Sequence, residues 1–157
     1  FTPVEFPEAV YAVQRHEGVN NGITAMGGTT ELLGTGTDHS EALNIMVQYL
    51  LGHPETDAVI GLGSTPTSVA VRAVEEAGMD IPVGGYDITP EILDNIANGS
   101  LTATVDQQPY HQGFMSVTML AQYLKYGLLP ADMNTGGSGL VDKSNVESAF
   151  KWAGITR

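Results

Sequence analysis

The chain has no cysteine among its 157 residues, which excludes a disulfide framework, a thiolate nucleophile and a thiolate metal site. That absence fits a cytosol and a periplasm equally. Basic residues are scarce: six Lys and Arg stand against 18 Asp and Glu, a formal net charge of −12. A grip on nucleic acid needs a clustered basic face, and a polybasic hold on a membrane surface needs the same, so neither is expected. A solvated acidic shell accounts for most of the charge. No apolar run reaches the roughly 18 residues of a bilayer-spanning helix. Phe1-Thr2-Pro3-Val4-Glu5 has neither the basic start nor the apolar core of a signal peptide. His16, His39, His53 and His111 are scattered without H-x-x-x-H spacing, and no metal site or cofactor is expected. Aromatic residues make up 7% of the chain, with a single Trp; Trp152 and Tyr126 read as packing residues rather than a stacking platform. No internal repeat at a solenoid period is visible.

What is present is a chain with 42% apolar residues, 19 Gly and 8 Pro, enough for one α/β domain with a proper core. Residues 1–9 read as an extended lead-in, because Pro3 and Pro7 oppose a helix. A helix is expected over Val10–Met26, weakened by Gly18 and Gly22, then a short strand at Glu31–Leu33. Asp38 or Ser40 caps a helix over Glu41–Leu51 with its apolar stripe at Ala42, Ile45, Met46, Tyr49 and Leu50. Asp57–Leu62 is a buried-type strand. The turn Gly63-Ser64-Thr65-Pro66, with Ser or Thr as N-cap, leads into a helix over Thr67–Ala77. Past Pro109, a helix is expected over Tyr110–Leu129 with Phe114, Val117, Leu120, Ala121 and Leu124 apolar, ended by Pro130. A Gly-rich loop over Asn134–Gly139, a final strand at Leu140-Val141 and a short helix over Val146–Trp152 capped at Ser144-Asn145 complete the pattern. Strand-helix alternation of this kind predicts a doubly wound, parallel α/β sheet with helices on both faces.

The stretch that organises the rest is Ile81–Gly113. Pro82–Tyr86 is an apolar strand ending at Asp87. Thr89-Pro90-Glu91 supplies an N-cap, a first-turn Pro and a first-turn acid for a helix that ends near Asn98-Gly99. Leu101–Val105 is a second strand, stopping at Asp106-Gln107-Gln108-Pro109. Two strands flanking one helix form a parallel crossover, so Asp87 and the Asp106–Gln108 cluster face one crevice at the carboxyl edge of the sheet, where such sheets bind ligands. A carboxylate at Asp87 can accept two hydroxyl hydrogen bonds at once, as vicinal diols present them; an Asx-turn toward Thr89 fits the same position. Gln107 offers both a donor and an acceptor, and equally fits a loop-stabilising role. Arg15 presents a planar fork to oxygen acceptors, or pairs with Glu17 on the surface. Gly61–Pro66 lacks the G-K-[ST] ending of a phosphate loop and the third Gly of a dinucleotide fingerprint. Ser64 is not in a G-x-S-x-G elbow, and Asn98-Gly99-Ser100 reads as a chance sequon.

The sequence V-G-G-Y-D-x-T-P-E-I, followed by I-x-N-G-x-L-x-A-T-V-D-Q-Q-P-Y-x-Q-G, resembles the C-terminal lobe of periplasmic sugar-binding proteins of ABC importers. These are the ribose- and galactose-binding type, related to the ligand domain of lactose-repressor-like regulators. In weaker form the resemblance runs from about Arg15 to Val146. It implies a hydroxyl-binding Asp at Asp87, a ligand-binding hinge Gln at Gln107 and a ligand-binding Arg at Arg15, with Asp106, Gln108 and Pro109 as hinge or secondary contacts. The chain departs from that family at Gly63-Ser64, where Asn-Asp is common and the Asn contacts sugar. Hydroxyls of Ser64 and Thr65, or backbone N–H groups at the helix start, are the groups here that can replace it.

The resemblance begins in mid-pattern, which implies a fragment, by design or proteolysis, lacking the N-terminal lobe. Residues 1–157 then form one C-terminal ligand-binding lobe. Residues 107–129 form a crossing segment whose helix belongs to the absent lobe, leaving 110–129 to dock on a second copy, as in a swapped homodimer, or back on its own lobe. The implied function is capture of a monosaccharide or similar polyol between two lobes and delivery to a membrane permease, without catalysis. The implied location is a periplasm, or the outside of a Gram-positive-type cell by a lipid anchor. The rival reading is the effector-sensing domain of a lactose-repressor-like transcription regulator; the acidity and the D-Q-Q-P-Y-x-Q-G form favour transport.

Overall fold

The structure, a computed structural model, describes residues 1–129, 131–134 and 139–157. Among the described residues, six strands alternate with six helices: β1 (Thr2–Val4), α1 (Val10–Ala25), β2 (Leu32–Gly34), α2 (His39–Gly52), β3 (Val59–Gly61), α3 (Ser64–Glu76), β4 (Val83–Tyr86), α4 (Pro90–Asn98), β5 (Ala103–Val105), α5 (Pro109–Tyr126), β6 (Leu140–Asp142) and α6 (Val146–Trp152). Pro130 and part of the loop over 134–139 lie outside the described residues.

β1 and β2 pair in parallel, as do β3, β4 and β5 in that order. A second set of bonds joins the two groups. The Phe1 amino group donates to Ala58 O, and Phe1 O and Pro3 O accept from Ile60 N and Leu62 N at 2.9 and 2.8 Å. The sheet therefore runs β2-β1-β3-β4-β5-β6, doubly wound from β1. Its last strand is the exception to the parallel rule: β6 is antiparallel to β5, with Thr104 opposite Val141.

Residues 1–9 correct the expectation of a lead-in. Thr2–Val4 is a strand, wholly buried, in the middle of the sheet. Pro3 is tolerated there because only its carbonyl is needed, and that carbonyl accepts from Leu62 N.

Helix ends follow local chemistry where a local residue supplies it. Asp38 rather than Ser40 caps α2, accepting from Glu41 N at 2.8 Å. Thr89 caps α4, accepting from Ile92 N at 3.2 Å, and Gly99 closes that helix at φ 91. Asn145 precedes α6 but makes no side-chain cap; its amide instead bridges Asp142 N and Leu140 O. Helix α3 begins three residues earlier than expected, at Ser64, with Gly63 as its N-cap residue and no capping side chain from its own turn.

Each face of the sheet has its own core. One cluster packs α2, α3, α4 and α6 on the sheet through Met46, Leu50, Val59, Val74, Ile92, Ile96 and Val141, all nearly inaccessible. The second, smaller cluster sets Ala12 of α1 against Val4 and Leu62, with Tyr11, Val19, Ile60 and Tyr86 around them. The chain thus reverses its winding direction between β1 and β3, and α1 and α3 leave the sheet on opposite faces. That switch point opens a crevice at the carboxyl ends of the strands. Helix α5 departs from this arrangement: none of its residues is buried. Tyr126 and Trp152, expected in packing, are 63% and 41% exposed, Tyr126 because α5 is uncovered and Trp152 because it ends the short α6.

Candidate functional site

Asp87 is the first residue past β4 and stands at φ 73, a left-handed conformation that Asp tolerates better than most residues. It is held there by bonds from both sides: Asp87 N donates to Val105 O at 2.8 Å, and Thr104 Oγ1 donates to Asp87 O at 2.8 Å. Its carboxylate is thereby aimed across the crevice. Gln107 Nε2 donates to Oδ1 at 2.5 Å, and Arg15 Nη1 lies 3.8 Å from Oδ2. No Asx-turn forms; Thr89 itself caps the helix.

Arg15 sits on the second turn of α1, not paired with the exposed Glu17. Nη1 donates to Leu62 O at 2.7 Å, and the guanidinium carbon lies 4.6 Å from the Tyr86 ring centroid and 5.0 Å from that of Tyr11. Two ring faces and a carbonyl fix the fork in place. Burial raises the Asp87 carboxyl above its ordinary range; Arg15 and Gln107 pull it back, and Glu5 and Asp106 push the same way as burial.

Two residues of this site, Glu5 and Tyr11, were not read from the sequence. Glu5 is the first residue past β1, the position in that strand that Asp87 holds in β4, and it is only 8% exposed. Tyr11 Oη donates to Glu5 Oε2, and Thr65 N, in the first turn of α3, donates to Oε1, both at 3.0 Å. The backbone amides at this helix start are therefore not all open to a ligand, as the sequence led us to expect. Burial and the Glu5 carboxylate push the Tyr11 hydroxyl up to about 12. The missing signal was the strand: once Thr2–Val4 is a strand, Glu5 falls at a ligand-facing strand end.

Glu5, Tyr11, Arg15, Gly63, Ser64, Asp87 and Gln107 line one cleft of about 280 Å³. The five residues expected to bind ligand thus come together. The three expected hinge residues lie just outside the lining, at the β5–α5 junction. Asp106 is fully buried, its carboxylate accepting from Gln108 N and from Arg157 Nε at 2.8 Å each. Gln108 stands at φ 57 and Pro109 opens α5. A larger cavity of about 500 Å³ lies at the opposite, amino edge of the sheet, against Phe1, Ile23 and Tyr49; none of the expected site residues reaches it.

A cleft at the switch point of a doubly wound sheet, walled by carboxylates, one guanidinium and an amide, defines a binding domain for a small polar solute. The chain belongs to the periplasmic binding protein domain family, which matches residues 4–128. It is 30% identical over 129 residues to the xylose/arabinose-binding protein of Sulfolobus acidocaldarius, covering 76% of this chain and 32% of that protein. It is 34% identical over 89 residues to the ribose import binding protein of Salmonella typhimurium, covering 56% and 30%. A carbohydrate transporter from Acidothermus cellulolyticus, solved in complex with myo-inositol, superposes with a TM-score of 0.81 at 30% identity, over 97% of this chain and 54% of that one. The chain spans about a third of these curated relatives and about half of that solved structure. Members of the family are binding proteins.

Proposed function

We propose that this chain is the C-terminal lobe of a solute-binding protein that captures a monosaccharide or similar polyol and presents it to the permease of an ABC importer, outside the cytoplasmic membrane. The observation that carries the reading is the convergence of Arg15, Asp87 and Gln107, from three separate elements, on one shared set of contacts in the cleft. A polyol needs donors and acceptors held at fixed spacing. Asp87 has lone pairs left after Gln107 and Arg15 are satisfied, and Gln107 retains its carbonyl as an acceptor. The role in this reading is binding, as in the family, whose members are binding proteins.

The lobe is one half of a clamp. Ligand bridges to an N-terminal lobe, and residues 106–109 absorb the rotation that closes the two. Of the two non-glycine residues at positive φ, Gln108 lies within that junction and Asp87 is bonded to Val105 just before it, where backbone strain and movement tend to coincide. Residues 107–129 cross to the other lobe, and the apolar face of α5 packs there; in the isolated chain the same face pairs two copies.

The test is ligand-observed NMR on the 157-residue chain with pentoses, hexoses, myo-inositol and nucleosides, repeated with Asp87→Ala. Binding to one class in the millimolar range, lost in the variant, is the expected result. Signals unchanged by Asp87→Ala would move the site elsewhere, and silence across the panel would overturn the reading for this lobe alone.

A further inference from the structure

We infer that Glu5 is a specificity-determining residue: its carboxylate fills the start of α3 as a built-in anion and restricts the cleft to uncharged polyols. The inference rests on the polyol reading above and deepens it. A helix N-terminus with open backbone N–H groups attracts carboxylates and phosphates. In this cleft that place is taken. Glu5 Oε1 accepts from Thr65 N, and Tyr11 Oη holds Oε2, so the carboxylate is fixed from two sides.

Gly63 is what makes room for it. A Cβ at position 63 would stand 2.0 Å from Glu5 Oε2 and 2.5 Å from Oε1. Side chains at positions 5 and 63 therefore compete for one volume, and a Gly at 63 is the condition for a carboxylate at 5. The bare Gly63-Ser64 turn is thus not a wall that lacks a polar group. Its acceptor, Glu5, comes from the residue just past β1.

The charge balance follows. The cleft lining holds two carboxylates, Glu5 and Asp87, and one guanidinium, Arg15, which already faces Asp87. A sugar acid or sugar phosphate brings a third negative group to a wall with no unshared cation among its described residues. A neutral polyol instead donates its hydroxyls to the free lone pairs of both carboxylates.

The experiment is a comparison of the full 157-residue chain with Glu5→Gln, which keeps the shape and removes the charge, and Glu5→Ala, which opens the helix start. Each is titrated with myo-inositol, galactose, galacturonate and inorganic phosphate, following the backbone amides of Ser64 and Thr65 by NMR. The unaltered chain is expected to ignore galacturonate and phosphate. Glu5→Ala is expected to bind both at Ser64 and Thr65, and Glu5→Gln to lose about tenfold in affinity for the neutral ligand, the worth of a charge-assisted hydrogen bond. Gly63→Ala, whose methyl takes the volume of the carboxylate, is expected to weaken neutral-ligand binding without admitting anions.

Anion binding by the unaltered chain, or none in Glu5→Ala, would overturn the inference. If Glu5→Ala fails to fold, Glu5→Gln decides: unchanged affinity for the neutral ligand would overturn the inference. Absence of any neutral-sugar response in the unaltered chain would count against the polyol reading, while the phosphate arm still decides the role of Glu5.

Discussion

Asp87 joins two opposed demands in one side chain. Its charge serves ligand hydroxyls, yet burial raises its pKa, so folding costs the ionised form more than it costs the neutral one. The linkage runs as for any acid whose folded pKa exceeds its unfolded value. The penalty is fully present above the raised folded pKa, shrinks as pH falls through it, and is gone below the ordinary carboxylate range. Asp87→Asn keeps the shape, suits the positive φ and removes the charge. It is expected to leave stability at neutral pH equal or greater, by up to about 1 kcal/mol, with the advantage fading as the pH drops toward 4. Denaturant unfolding at several pH values measures this; a variant that is less stable at neutral pH, with a deficit that disappears in acid, would mean the Arg15 and Gln107 contacts outweigh burial. Ligand affinity is expected to fall in the same acid range in the unaltered protein, because the acceptor is lost.

At the scale of elements, α3 is the piece that everything else is set against. Thr67 is fully buried in its first turn, donating to Gly61 O at 3.0 Å and accepting from Tyr86 N at 3.3 Å. The helix comes this close to β3 and β4 because Gly61 and Gly85 have no side chains there; a Cβ on Gly85 would stand 2.3 Å from Thr67 Oγ1. Gly85→Ala is therefore expected to cost about 1–3 kcal/mol by overpacking, and to weaken ligand binding as well, since Asp87 lies two residues on. Equal thermal midpoints for Gly85→Ala and the unaltered chain would contradict the close approach. Thr89→Ala removes the α4 cap and is expected to cost about 1 kcal/mol with the cleft contacts unchanged, so its effect is to appear in unfolding and not in affinity at a temperature where the chain stays folded.

The whole molecule carries one conspicuous imbalance. Helix α5 leaves Phe114 54%, Val117 70%, Leu120 57% and Leu124 74% exposed, a continuous apolar face of the kind that marks an interaction surface. Its spacing is that of a helix packed on something. On the two-lobe reading, that partner is the N-terminal lobe. For the isolated chain, light scattering is expected to give a mass above 16.6 kDa that returns to the monomer value in a Leu120→Lys, Leu124→Lys double variant. A monomeric mass together with full hydrogen-exchange protection of α5 would instead place the helix back on its own lobe.

The order of strands and helices after β1, the α4 unit with its Thr89 cap and Gly99 stop, and the placement of Asp87 and Gln107 at one edge were legible in the sequence. Each depends on a local pattern or on the handedness of a parallel crossover, and these act over a few residues or a single unit. Arg15 was legible only through the family resemblance, because nothing near it in sequence tells a ligand Arg from a surface one. The start of α3, the strand at Thr2–Val4 and the role of Glu5 were decided by tertiary structure. The N–H that Glu5 caps is 60 residues away, and Thr2–Val4 is a strand because β2 and β3 flank it. A cap, an acceptor or a strand supplied from across the fold leaves no periodicity in its own neighbourhood, so only the folded chain, with Gly63 bare beside Glu5, brings that wall of the cleft into being.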